Sequence, residues 1–83
     1  MAKRVRLIPD VYLWLESHQS IASPEVIISA VLGARASMRE HYEARRFAIT
    51  LLRKVGSSRK KILIRVEETE VELVVLVVHA EEW

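Results

Sequence analysis

The chain contains no cysteine and no asparagine, a single glutamine, two glycines and two prolines in 83 residues. Without cysteine there is no disulfide framework, no thiolate nucleophile and no cysteine-based metal site. Two glycines far apart exclude a glycine-rich phosphate loop. No apolar run approaches the roughly 18 residues needed to cross a bilayer. The opening Met-Ala-Lys-Arg-Val-Arg lacks the apolar stretch of a secretory signal. These absences predict a cytoplasmic protein with no membrane association. The missing Asn and Cys, together with a charged fraction of 29%, resemble the depletion of thermolabile residues in hyperthermophiles.

Catalytic chemistry lacks its parts as well. His18, His41 and His79 are scattered and show no metal-ligand spacing, so no metal site is expected. Asp10 is the only aspartate and has no evident acid–base partner. Gly56-Ser57-Ser58-Arg59-Lys60 superficially resembles a phosphate cradle, but one glycine after a helix reads more simply as a cap. Ser57 and Ser58 have no nearby base to activate them. The expectation is a protein that is not an enzyme and holds no cofactor.

What the chain does have is an uneven charge distribution. Residues 35–61 hold nine of the thirteen Lys and Arg against Glu40 and Glu43, a local net charge of +7. Residues 62–83 carry one Arg against six Glu, and residues 1–34 balance, so the formal total is only +2. A concentrated basic surface is the electrostatic footprint of a phosphate-bearing partner. Read at helical period, Met38, Tyr42, Ala48, Ile49, Leu52 and Val55 form an apolar stripe. Arg39, Arg46 and Arg53 are then seven apart and share another face, with Arg59, Lys60 and Lys61 just beyond a Gly56 cap. These six residues are the candidate nucleic-acid contacts. The alternative is a solvated face that serves solubility and local pairing, such as Arg39 with Glu43.

Around this segment the pattern predicts an α+β fold in a single domain, residues 1–83. A small mixed or antiparallel sheet packs against two main helices, about 24–34 and 38–55. Ser23-Pro24-Glu25 is a helix start with a hydroxyl cap, a first-turn proline and an early acid. The helix that follows should be buried nearly all round, since Ser29 is its only polar side chain. Ser37 and Glu40 read as a second capping box. Val5–Ile8 suits a short strand. Val11–Glu16 fits neither period cleanly and leans towards strand by composition. Lys61–Glu67 alternates and favours strand. Glu67–Glu70 is a poor turn by composition. Residues 71–79 form a strong C-terminal strand. Val71–Val78 is apolar on both faces and must be covered on both, which points to a homodimer through that strand.

One resemblance adds a function. Ile21–Ala34, with Ala30 and Ala34 four apart, is similar to the early apolar helix of the kinase-regulator subunit of the KEOPS complex, the PRPK-binding-protein family. Ile49–Ile62 is similar to that family's second signature, a helix ending in Leu-Leu, then a Gly, then an Arg followed by Ile. Leu51, Leu52, Gly56, Arg59 and Ile62 match it, while Arg65 and Glu70 stand where the family has Ala and Gly. Residues 60–68 therefore stay open between helix and strand. Family members are also longer, so this chain would lack a C-terminal part that helps contact the kinase. The resemblance implies a non-catalytic subunit that binds a kinase-like protein partner and tRNA for threonylcarbamoylation of an adenosine. A competing resemblance is to ribbon–helix–helix DNA-binding dimers, through Lys3–Ile8 followed by Pro9, with Ser23-Pro24-Glu25 as the second helix start. The first reading needs a strand at residues 10–16, the second a helix. A third reading is an oligomeric structural or assembly protein.

Overall fold

Two helices cover one face of a five-stranded mixed sheet in the computed structural model, which describes residues 3–83. Met1 and Ala2, which open the stretch read as lacking a secretory signal, lie outside the described residues. The elements run β1 (Arg4–Leu7), α1 (Pro9–Ser17), α2 (Pro24–Gly33), a 3₁₀ turn (Ala36–Met38), β2 (Glu40–Glu43), β3 (Arg46–Val55), β4 (Ser58–Glu68) and β5 (Glu72–Glu82). The sheet order is β1-β5-β4-β3-β2, with β1 parallel to β5 and every other pairing antiparallel. Among the described residues no helix is long and apolar enough to cross a membrane.

The α+β class, the helix near 24–34 and the C-terminal strand are as the pattern predicts. Ser23 caps α2 by accepting from the Val26 N–H at 3.3 Å, with Pro24 in the first turn and Glu25 facing the dipole. The helix is not buried all round, however. Ile27 and Val31 are fully buried, whereas Leu32 is 55% exposed, because α2 packs one side against the sheet and turns the other to solvent.

The second main helix is not at 38–55, and this is the chief correction. Residues 40–55 form β2 and β3, and the second helix is α1. Phe47, Ile49, Leu51, Arg53 and Val55 alternate inward, with Thr50, Leu52 and Lys54 exposed between them. That is a two-residue period, rich in aromatic and β-branched side chains, and the helical stripe missed it by leaving out Phe47 and Leu51. Ser37 and Glu40 form no capping box, since Glu40 opens β2. Residues 60–68 are strand throughout.

Gly56 is not a helix cap. With Ser57 it makes the two-residue loop between Val55 and Ser58, and it has φ +61°. Positive φ at the first central position alone is the pattern of a type II′ hairpin turn, where glycine is favoured. Residues 10–16, which leaned towards strand, are helical. Pro9 at the first position and Asp10 in the first turn start α1, and Val11 and Leu15, four apart, bury its inner face.

The core lies between helices and sheet. Val11, Leu15, Ile27 and Val31 meet Phe47, Ile49, Ile62, Ile64, Val66 and Val75 in one cluster. Strand β5 lies between β1 and β4, but β1 pairs only with Glu72–Val75, so from Leu76 onwards one edge of β5 has no strand partner among the described residues. Its two-sided apolarity has a local cause. Val66 pairs with Val75 but Arg65 with Val77, leaving Leu76 as an extra bulge residue. The inward set thus changes from Leu73 and Val75 to Val78 and Ala80. The Glu67–Glu70 turn is closed by Thr69, whose Oγ1 accepts from the Glu72 N–H at 2.9 Å.

Candidate nucleic-acid interface

On a strand, residues seven apart point to opposite faces, so Arg46 and Arg53 of β3 share no face. Arg39 follows the 3₁₀ turn with its guanidinium 4.7 Å from the centre of the Phe47 ring. Its Nε is buried without a hydrogen-bond partner. Arg46 points to the outer, helix-free face and donates to Glu67 at 2.8 Å, with Glu43 at 3.6 Å. The Glu67 hydrogen bond, with help from Glu43, raises the Arg46 pKa, so this guanidinium is firmly charged but already spoken for. Arg46 is therefore a structural ion pair on the sheet.

The structure does bring the other four together. Arg53, Arg59, Lys60 and Lys61 gather at the end of the β3–β4 hairpin, where Lys54 joins them. Arg53 lies opposite Lys60 on the helix-bearing side, and Lys54 lies opposite Arg59 on the outer side. Like charges directly opposite each other cost a sheet roughly 0.2–1 kcal/mol per pair. This hairpin carries two such pairs flanking one turn. A local rule broken without evident structural return is a mark of a functional surface.

Strand β5 tempers the cluster. Glu82, opposite Lys60 in register, is ion-paired with it. Glu81 stands opposite Lys61. The Trp83 N–H donates to the Arg59 carbonyl at 3.1 Å, and the Arg59 guanidinium lies 5.4 Å from the centre of the Trp83 ring. None of Arg53, Lys54, Arg59 and Lys61 makes an ion pair among the described residues.

Lys54, Arg65, Tyr42 and Trp83 were not singled out by sequence reasoning. Arg53-Lys54 and Arg59-Lys60-Lys61 flank Gly56 almost symmetrically, and a Gly-Ser loop between alternating runs is a hairpin signal. Reading period two before period 3.6 would have found Lys54. Pairing of Tyr42 with Arg65 across strands leaves no trace in the sequence.

A second charged cluster sits near the start of the chain. Lys3 Nζ donates to Glu68 at 2.8 Å and to the Thr69 carbonyl at 2.7 Å. This hydrogen bond holds the Glu68 carboxyl below its ordinary range, against an opposing effect of partial burial. It ties Lys3 to the β4–β5 turn and has no arrangement suited to chemistry. Among the described residues no group of three His, Asp or Glu could hold a metal ion. No known protein family, curated protein or solved structure matches the chain.

Proposed function

We propose that the protein is a non-catalytic nucleic-acid-binding protein whose phosphate contact is the end of the β3–β4 hairpin. The carrying observation is the pair of like-charge juxtapositions, Arg53 with Lys60 and Lys54 with Arg59, on opposite faces of one turn. A polyanion laid against the turn relieves both repulsions at once and is held by releasing counterions. Arginine and lysine side by side suit this use, one as a planar fork and the other as a mobile point charge.

Of the tRNA-complex reading, this retains an RNA-binding subunit and changes its contact surface. Arg59, Lys60 and Lys61 stay in the site, Arg53 joins them through the strand pairing, and Arg39 and Arg46 leave it. The helix that the resemblance implies over 49–55 is strand, and the strand at 10–16 is helix.

Duplex DNA is the second reading, favoured by the helical residues 10–16. Against a ribbon dimer, β1 is the edge of a five-stranded sheet and not a separate ribbon, since it pairs in parallel with β5 of its own chain. Fluorescence anisotropy with labelled tRNA and a labelled DNA duplex tests both. The expected result is tighter binding of tRNA, lost when Arg53, Lys54, Arg59, Lys60 and Lys61 are changed together to Gln. Retained binding in that folded variant overturns the hairpin as the contact. Preference for the duplex selects the second reading.

A further inference from the structure

We infer that the helix-free face of the sheet is a platform for single-stranded RNA, with Trp83 and Tyr42 as base-stacking positions. This deepens the nucleic-acid reading and rests on it.

The outer face is built of cross-strand rows. Lys54, Arg59 and Trp83 lie abreast at one end, followed by Leu52, Lys61 and Glu81, then Thr50, Leu63 and His79, then Ala48, Arg65 and Val77. Both helices contribute to the core on the other side, so no element among the described residues covers these rows. Two aromatic side chains stand towards its ends, each with a guanidinium over its ring. Arg59 is 5.4 Å from the centre of Trp83, and Arg65 is 5.6 Å from the centre of Tyr42. Trp83 is 60% exposed and Tyr42 48% exposed, which leaves ring surface open beside each guanidinium. Arg59 and Arg65 are six residues apart on β4, or about 20 Å at roughly 3.3 Å per residue.

The chemistry between the two ends distinguishes the occupant. Leu52 and Val77 are half exposed there, and Leu63 lies between them. Apolar side chains suit bases and sugars and give phosphate nothing. Paired bases hide their faces inside the duplex, so exposed aromatics gain by stacking only when bases are unpaired. Lys54, Arg59, Lys61 and Arg65 have no ion-pair partner among the described residues and are the phosphate contacts. The carboxylates nearby are mostly engaged. Glu67 is held by Arg46 at 2.8 Å and Glu72 by Arg6 at 3.0 Å, while Glu81 lies opposite Lys61 in register without pairing to it, 4.0 Å from His79 Nε2. The central row offers the exposed Thr50 hydroxyl and His79 ring as hydrogen-bonding groups for a ribose 2′-hydroxyl, which favours RNA over single-stranded DNA.

The test uses the full chain carrying Trp14→Phe, so that Trp83 is the only tryptophan. Three probes of equal length are titrated: oligouridylate, oligodeoxythymidylate and an RNA duplex. The expected result is quenching of Trp83 by oligouridylate and weaker binding of the other two probes. Read by anisotropy of labelled probes, since no tryptophan is left to quench, Trp83→Ala should lose about 5- to 150-fold in oligouridylate affinity, the range for one stacked base, and leave duplex affinity within twofold. Trp83→Phe should restore most of the loss, and Tyr42→Ala should weaken the same probe. Duplex binding as tight as oligouridylate binding, or an unchanged affinity in Trp83→Ala, overturns the platform while leaving the hairpin contact standing. Binding of none of the three overturns both.

Discussion

Arg53 and Lys60 lie directly opposite one another on β3 and β4 and point to the same side of the sheet. Among the described residues Lys60 has a counterion, the Glu82 carboxylate, and Arg53 has none. Arg53→Thr removes the repulsion and adds a residue that strands favour. The expected gain in stability is up to about 1 kcal/mol, read from the urea midpoint, together with weaker nucleic-acid binding. A variant less stable than the parent would show that Arg53 is held by packing.

The hairpin turn depends on Gly56, which has φ +61° and nothing within 4 Å of the position a Cβ would take. The cost of Gly56→Ala is therefore conformational, about 1–3 kcal/mol from a positive φ that other residues rarely adopt. Equilibrium denaturation should show that loss without a change in the m-value. A neutral result would mean that the turn relaxes to another type.

Phe47 is fully buried at the centre of β3 and also carries the Arg39 guanidinium over its ring. Phe47→Ala should cost about 3–5 kcal/mol, a large share of the stability of so small a domain. Thermal unfolding should reveal a sharply lowered midpoint. A modest shift would mean that the cavity collapses.

Lys3 and Glu68 set a pH dependence. The folded Glu68 pKa lies below its unfolded value because Lys3 donates a hydrogen bond to the carboxylate. The unfolded chain therefore binds the proton first. Stability from this contact is fully present above the unfolded carboxylate value and is lost as pH falls through the folded one. Lys3→Met should flatten the acid limb of a stability–pH profile and leave neutral-pH folding intact. An unchanged acid limb would assign it to other carboxylates.

Much of the fold was legible where one signal acted alone. Ser23-Pro24-Glu25 has a single sensible reading, and α2 begins there. The alternating run after Lys61 became β4, and the valine-rich tail became β5. The reading failed over 38–55, where apolar residues satisfy two periods at once. Ala48, Ile49, Leu52 and Val55 fit a helix, while Phe47, Ile49, Leu51 and Val55 fit a strand. Long-range pairing with β4 over ten consecutive positions decided the matter, and no local window contains it. The same failure misplaced the site. Seven-residue spacing aligned Arg39, Arg46 and Arg53 on a helix, whereas the strand sent Arg46 to Glu67 and Arg53 to the opposite face. The cluster of Arg59, Lys60 and Lys61 survived, because their neighbourhood depends only on the turn at Gly56.

The most direct measurement is the salt dependence of RNA affinity for the wild type and for Lys54→Gln/Arg59→Gln/Lys61→Gln. Each phosphate contact with a single strand contributes about −0.7 to the slope of log affinity against log salt. Losing three contacts should shallow the slope by about 2 and weaken binding most at low salt. An identical slope in the two proteins would show that phosphates do not meet the hairpin and would contradict the account.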